Sequence, residues 1–372
     1  MLCALEHMSC VCALGRTNEE VLANIKARSA AGMVPLDDVI PGRTVLFGAV
    51  PGDLPDIAEP EYDVRTNRLL KLAVENRRAE FASFVERYGA DRVAVVLGTS
   101  NTGIDEAQRH VDTWLDTGVK PESMRFSEIE LGTPAEYLAK LLGVEGPAYS
   151  ISTACSSSAK VFPAARRLIE AGVVDAAIVG GADGRCRFAL NGFNALGALS
   201  QGLCRPLAPD RDGINLGEGA ALFTLARAED GTPAICFAGA GETSDAYHPT
   251  APDPEGGGAE AAMRAALKDA SLAPDAVSYV NLHGTGTVAN DEMEMKALLR
   301  VFPGLADGNP TGPTYESTKP LTGHCLGAAG AIEAAICWLK FASGELSGAV
   351  LSNSFAFGGS NASVVLMRRS RP

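Results

Sequence analysis

No stretch of this 372-residue sequence stays apolar for the roughly 20 residues that a bilayer-spanning helix requires, because glycine, proline or charge interrupts every long run. A membrane span is therefore not expected. Positive charge is also scarce. Thirty-two Lys and Arg stand against 45 Asp and Glu, a formal charge of -13 that disfavours nucleic acid and anionic membranes as partners. Histidine occurs only as His7, His110, His248, His283 and His324, no two at helical ligand spacing, and there is no C-x-x-C pair. No metal site is expected from such a donor set. No secretory leader is expected either. Met1–Gly15 is fairly apolar, but no basic segment precedes it and it holds Glu6 and His7, so it reads as a first strand. The nine cysteines are an odd number in apolar context, which fits reduced thiols in a cytoplasm. The glycine pairs in "GAGETS" and "GTGTVA" lack the third glycine of a dinucleotide fingerprint, so no nucleotide cofactor is indicated.

The sequence does carry an α/β rhythm. Short β-branched runs at 93–98, 148–152, 176–180, 277–282 and 349–352 alternate with apolar-periodic segments at 156–172, 259–270 and 327–342. Runs apolar on both faces predict a buried, mostly parallel sheet. Two echoes point to an internal duplication. "VVLGTSNTGIDEAQ" from Val95 parallels "VNLHGTGTVANDEMEM" from Val280, and the segments beginning at Ala148 and Thr314 share a strand, a small-residue turn and an apolar helix ending in glycine. This implies halves 1–229 and 230–372 with their central helices stacked between two sheets, joined near the polar, turn-rich Glu229–Pro233.

Cys155, in "SISTACSSSAK", lies where an extended run gives way to a helix. Strand-turn-helix elbows present nucleophiles; backbone N–H groups and the positive helix end favour a thiolate there. Pro163 falls inside this helix and predicts a bend. His283 follows the strand "VSYVNL", and His324 opens another apolar helix. Strand ends and helix starts are where α/β sheets bind ligands. One histidine with a carboxylate or carboxamide would suit a protease, whereas two imidazole donors suit an oxyanion such as the enolate left when a malonyl thioester loses CO2. The segment "LSNSFAFGGSNASVVLM" reads as two strands around a glycine loop containing Phe355, Phe357, Gly358 and Gly359.

"TACSSS", "HGTGT", "STKPLTGHCLGAAG" and "NSFAFGGSN", in that order, resemble the motifs of elongating β-ketoacyl-acyl-carrier-protein synthases of the thiolase-like superfamily, over nearly the whole chain. The resemblance implies a thiolase-like fold, two related halves in five α/β/α/β/α layers. It implies Cys155 as nucleophile, His283 and His324 as donors, and Lys319 as the lysine ordering the site. Thr285 and Thr287 match threonines that hold the phosphopantetheine arm of an acyl carrier protein, so no resident cofactor is needed. Phe357 matches an aromatic gate whose backbone N–H joins that of Cys155 as oxyanion hole, with Gly358 beside it; Phe193 and Ile214 fall on the substrate side. Asp291 and Glu294 match supporting acids near the lysine, although each also reads as a solvated helix-start carboxylate.

Two departures from the family pattern and three exclusions sharpen the expectation. Ile214 stands where many relatives carry Phe, and Ala356 replaces a usual Gly, so substrate shape or gate mobility differs. Cys155 separates the chain from non-catalytic chain-length factors. His324, in place of asparagine, and a C-terminal loop without cysteine separate it from initiating synthases and thiolases. The implied partners are an acyl carrier protein and a second ketosynthase-type subunit, identical or homologous. Arg65, Arg68 and Lys71 form the one basic stretch that could meet an acidic carrier. "TACSSSAK" and the short chain lean towards polyene or polyketide assembly, as in aryl polyene clusters.

Overall fold

The computed structural model describes residues 1–229, 232, 234–305 and 312–369. Asp230, Gly231 and Pro233 of the expected join lie outside the described residues, and with them the start of the second half.

Ten strands build two leaves of the same topology. In the first, β1 (Met8–Cys12), β2 (Val93–Gly98), β3 (Ala148–Ile151), β4 (Ala176–Asp183) and β5 (Gly219–Arg227) lie in the order 3-2-4-5-1. In the second, β6 (Ala234–Ser244), β7 (Val277–Asn281), β8 (Thr314–Glu316), β9 (Ala349–Ala356) and β10 (Ser360–Arg369) lie in the order 8-7-9-10-6, which is the same arrangement. The short strand Cys3–Ala4 pairs with both β5 and β6 and joins the leaves edge to edge. A separate small sheet pairs Arg43–Gly48 on one side with Met33–Ile40 and on the other with Leu216–Gly217.

The sheet is mixed, not mostly parallel. Pairs β2–β3, β2–β4, β7–β8 and β7–β9 are parallel, but β4–β5, β1–β5, β6–β10 and β9–β10 are antiparallel. The tight turn Phe357–Gly359 between β9 and β10 is too short for a parallel crossover, so this pair must reverse. The first strand expected in Met1–Gly15 is split into two pieces, Cys3–Ala4 and β1; both pair with β5, and Cys3–Ala4 also pairs with β6.

Alternation along the strands separates the layers. Val93, Val95 and Leu97 of β2 face an outer cluster with Leu69, Phe84 and Leu138, while Ala94 and Val96 face a central cluster. That central cluster holds Phe162 and Ile169 of α2 (Val161–Glu170) with Ile332 and Ile336 of α6 (Ala329–Ala342). On the far side, Val280 and Leu351 meet Met263 and Leu298 from α4 (Gly257–Asp269) and α5 (Val288–Val301). The two outer clusters and the central one, which fills both faces of the α2–α6 layer, stack the chain in five layers, the thiolase-like architecture. Pro163 is the third residue of α2, where the missing N–H has no partner within the helix, and the run expected as one helix from Ser156 is divided just before it into the 3-10 turn Ser157–Ala159 and α2. Among the described residues no helix is long and apolar enough to cross a membrane.

Candidate active site

The elbow after β3 is held by its own small side chains. Ala154 adopts φ +52°, a left-handed conformation costing a non-glycine residue roughly 1–2 kcal/mol. The Ser157 hydroxyl offsets that strain by donating to the Ala154 carbonyl (2.5 Å) and accepting from the Thr153 N–H (2.8 Å). Gly98 lets β2 end against the elbow, because a Cβ there would sit 2.3 Å from the Ser158 nitrogen. Cys155 is thereby presented, buried, ahead of the 3-10 turn Ser157–Ala159 and α2. Burial pushes its thiol up to about 12, against the pull of the Lys319 cation and of the backbone N–H groups of Phe357 and of Cys155 itself. The thiolate expected from the helix end does not prevail: desolvation outweighs the local dipoles.

The histidine loop is anchored from behind. Both oxygens of Glu294, on α5, accept backbone N–H groups, from His283 (2.8 Å) and Gly284 (2.7 Å), and Asn353 Nδ2 donates to the same carboxylate (3.2 Å). Asp291 accepts from the N–H groups of Gly286 (3.2 Å) and Leu207 (2.8 Å). Neither acid is a solvated helix-start carboxylate; both are 1% exposed, and burial pushes the Glu294 carboxyl up to about 7. His324 is fixed by backbone bonds: its N–H donates to the Asn215 carbonyl (2.8 Å), and its own carbonyl accepts from Gly217 (3.0 Å).

The two imidazoles meet edge to face, with centroids 5.3 Å apart. His283 Nδ1 and both ring nitrogens of His324 are buried without a partner among the described residues. Burial, then the Lys319 cation, holds both rings well below the usual histidine range, and the neighbouring His324 depresses His283 further. Two neutral rings, each with one N–H and one lone pair, are what a site needs to donate to a developing oxyanion.

A cavity of about 240 Å³ gathers Cys155, His283, His324, Thr285, Thr287, Phe193, Ile214 and Phe357 on its wall. The hydroxyls of Thr285 and Thr287 lie 2.8 Å apart. Phe357 stacks on Phe193 at 5.3 Å, and Gly358, in the turn behind it, takes φ +81°. Lys319, Asp291, Glu294 and Gly358 do not line the cavity. Lys319 is buried behind it, donating to the His283 carbonyl and to Glu333 Oε1 (2.5 Å). Arg65, Arg68 and Lys71 are committed to Glu218, Asp63 and Asp56, and Glu75, so the basic stretch offers no free cations.

Sequence reasoning missed Glu333, and its signal was available: one carboxylate inside the otherwise apolar run 329–339 of α6. Both members of the Lys319–Glu333 pair are nearly inaccessible. Glu333→Ala is therefore expected to strand a buried cation and lower stability by about 3–5 kcal/mol in chemical denaturation. A loss below about 1 kcal/mol would rule the pair out as a structural element.

A fold of two equivalent leaves, with a cysteine on one and two neutral histidines on the other, defines a condensing acyltransferase. The chain belongs to the β-ketoacyl synthase family: residues 73–231 match the model of the β-ketoacyl synthase N-terminal domain and residues 235–350 that of the C-terminal domain. It is thus a β-ketoacyl synthase, an acyltransferase making carbon–carbon bonds by Claisen condensation in fatty acid or polyketide synthesis. It is 32% identical over 348 residues to nodulation protein E of Rhizobium leguminosarum bv. trifolii, covering 82% of this chain and 85% of that one. It is 32% identical over 346 residues to 3-oxoacyl-[acyl-carrier-protein] synthase 2 of Coxiella burnetii, covering 82% and 83%. Among solved structures it is similar, at TM-score 0.91 and 38% identity over 99% of this chain and 98% of the other, to a chain of the complex of the ketosynthase ApeO with its chain length factor ApeC from Xenorhabdus doucetiae.

Proposed function

We propose that this chain elongates acyl groups held on an acyl carrier protein, with Cys155 as nucleophile and His283 and His324 as the paired donors for decarboxylation. The convergence of one thiol and two neutral imidazoles on one cavity carries this reading. Cys155 attacks the carbonyl carbon of an acyl thioester, its proton passes to an imidazole lone pair, and the carrier thiol leaves. The N–H groups of Cys155 and Phe357, both within reach of the sulfur, receive the oxyanion. A malonyl carrier then loses CO2 while both imidazoles donate to the thioester oxygen. The enolate carbon attacks the acyl-enzyme and expels Cys155, leaving a β-ketoacyl carrier two carbons longer. Lys319 and Glu294 act as positioning residues for His283, and Thr285 and Thr287 present hydroxyls to the amides of the phosphopantetheine arm.

The likeness to a chain of the ApeO–ApeC complex supports a polyene or polyketide pathway and a homologous second subunit. That subunit binds through the half that carries Cys155. Strand β3 is the outer strand of its leaf, an edge that another subunit can extend. A purely non-catalytic role is disfavoured, since all three reacting side chains line the cavity. Nine free, buried cysteines support residence in the cytoplasm. Intact-mass measurement after incubation with an acyl-loaded carrier is expected to show one acyl addition, localised to Cys155 by peptide mapping; an unmodified chain, alone and with a homologous partner, would sink the assignment. Condensation measured alone and then with that partner decides between a self-sufficient enzyme and an obligate heterodimer.

A further inference from the structure

A second nucleophile constellation lies outside this cavity. Ser123 Oγ is 3.1 Å from His110 Nε2, and His110 Nδ1 is 3.0 Å from Glu128 Oε2. The three residues come from different pieces of chain. His110 projects from α1 (Ile104–Thr117), Ser123 sits in the turn Pro121–Met124, and Glu128 ends the 3-10 turn Phe126–Glu128. Glu128 is held firmly, for its carbonyl accepts from the Gly103 N–H (2.7 Å) and the Thr102 hydroxyl (2.9 Å), and its side chain is 7% exposed. A carboxylate can only accept, so the His110 proton resides on Nδ1 and leaves the Nε2 lone pair facing the serine hydroxyl. That is the tautomer a serine nucleophile requires. Beside them is a cavity of about 260 Å³ lined by His110, Ser123 and Glu128 with Pro60, Asp63, Glu106, Arg109 and Arg125. The Arg125 guanidinium donates one bond, from Nη1, to the Ser123 backbone carbonyl (3.3 Å), so a cation tied to the serine's own backbone lines the same cavity.

The geometry points to Ser123, His110 and Glu128 as a serine acyl-transfer centre for short, polar carboxylic esters, separate from the ketosynthase cavity. Ser123 Oγ bonds to the ester carbonyl carbon as its proton moves to His110 Nε2. The ester C–O bond breaks, and the departing alkoxide takes that proton. Water then repeats the sequence, releasing the carboxylic acid and restoring the serine. The charged walls and small volume exclude long acyl chains.

The test uses the full-length Cys155→Ala chain, so that the ketosynthase thiol adds no background, with a fluorophosphonate and p-nitrophenyl acetate as probes. A covalent phosphonyl adduct mapped to Ser123 is expected, with ester hydrolysis that Ser123→Ala and His110→Ala each reduce at least about 100-fold. Ser123→Ala in the otherwise native chain should leave acylation of Cys155 unchanged, which shows that the variant folds. Absence of the adduct, or equal hydrolysis with and without Ser123, overturns the proposal and leaves the three residues as a pin holding the 118–131 loop to α1. Neither outcome touches the assignment of Cys155.

Discussion

Cys155→Ala is expected to lower chain elongation by at least about 10⁴-fold, because removing the nucleophile abolishes the covalent intermediate that both half-reactions share. The fold should survive, since alanine leaves the left-handed Ala154 and its Ser157 brace untouched. A pH dependence accompanies this. Burial pushes the thiol up to about 12, so the free enzyme is protonated at pH 7 and the thiolate fraction rises tenfold with each pH unit below that value. Alkylation by iodoacetamide at Cys155 should therefore keep accelerating between pH 7 and 10. Lys319→Ala, which removes the neighbouring cation that pulls the thiol down, should slow alkylation at every pH in that range. A rate that is already flat below pH 9 would show a standing thiolate and contradict the dominance of desolvation. Elongation by the alanine variant would exclude Cys155 as nucleophile.

How far the chain could be read before its structure depends on whether the signal is local. Cys155, His283 and His324 stand at turns of small residues next to apolar runs, and such junctions survive in one dimension. The duplication was visible as two echoes, and the common strand order of the leaves gives it physical content. Antiparallel pairing was not legible, because β5 and β9 are buried on nearly all positions and resemble parallel strands in composition. The proline read as interior to a helix from Ser156 lies in the first turn of α2, because a 3-10 turn takes up Ser157–Ala159 ahead of it, and such a boundary is not marked in the sequence. Partners distant in sequence were hidden altogether. Glu333 meets Lys319 from the next helix, and Asn353 reaches Glu294 from β9. Asp183, at the end of β4, accepts from the N–H groups of Ser100, Asn101 and Gly327, so one buried carboxylate ties the first leaf to the start of the helix that follows His324. Tertiary packing alone brings these groups together.

His283→Ala and His324→Ala are each expected to reduce malonyl-thioester decarboxylation by roughly 100- to 1,000-fold, the usual effect of removing one oxyanion donor. The double variant should be little worse than the poorer single one, because both rings act on the same oxygen and their contributions are not additive. Either variant decarboxylating at the normal rate would contradict the donor role, and intact-mass detection of acyl-Cys155 in the same variants separates that role from nucleophile activation. The pH profile follows from the direction of the shifts. Both rings are held well below 6.5, so the neutral donor form is complete at pH 7, and activity should fall only well under pH 6.5. Stability carries the same sign. The unfolded chain takes up protons on these histidines near pH 6.5 while the folded one resists, so their contribution is full above 6.5 and declines as the pH drops below it, by at most about 1.4 kcal/mol per pH unit for each ring. Glu294 works in the opposite direction between about 7 and 4.5, where the folded state holds its proton more tightly than the unfolded one. Thermal unfolding of the double histidine variant between pH 7 and 5 isolates the two contributions: with the imidazoles gone the acid-side loss should shrink, and stability should instead rise as Glu294 protonates. An unchanged acid-side slope would mean that the rings are not the groups whose burial the site resists.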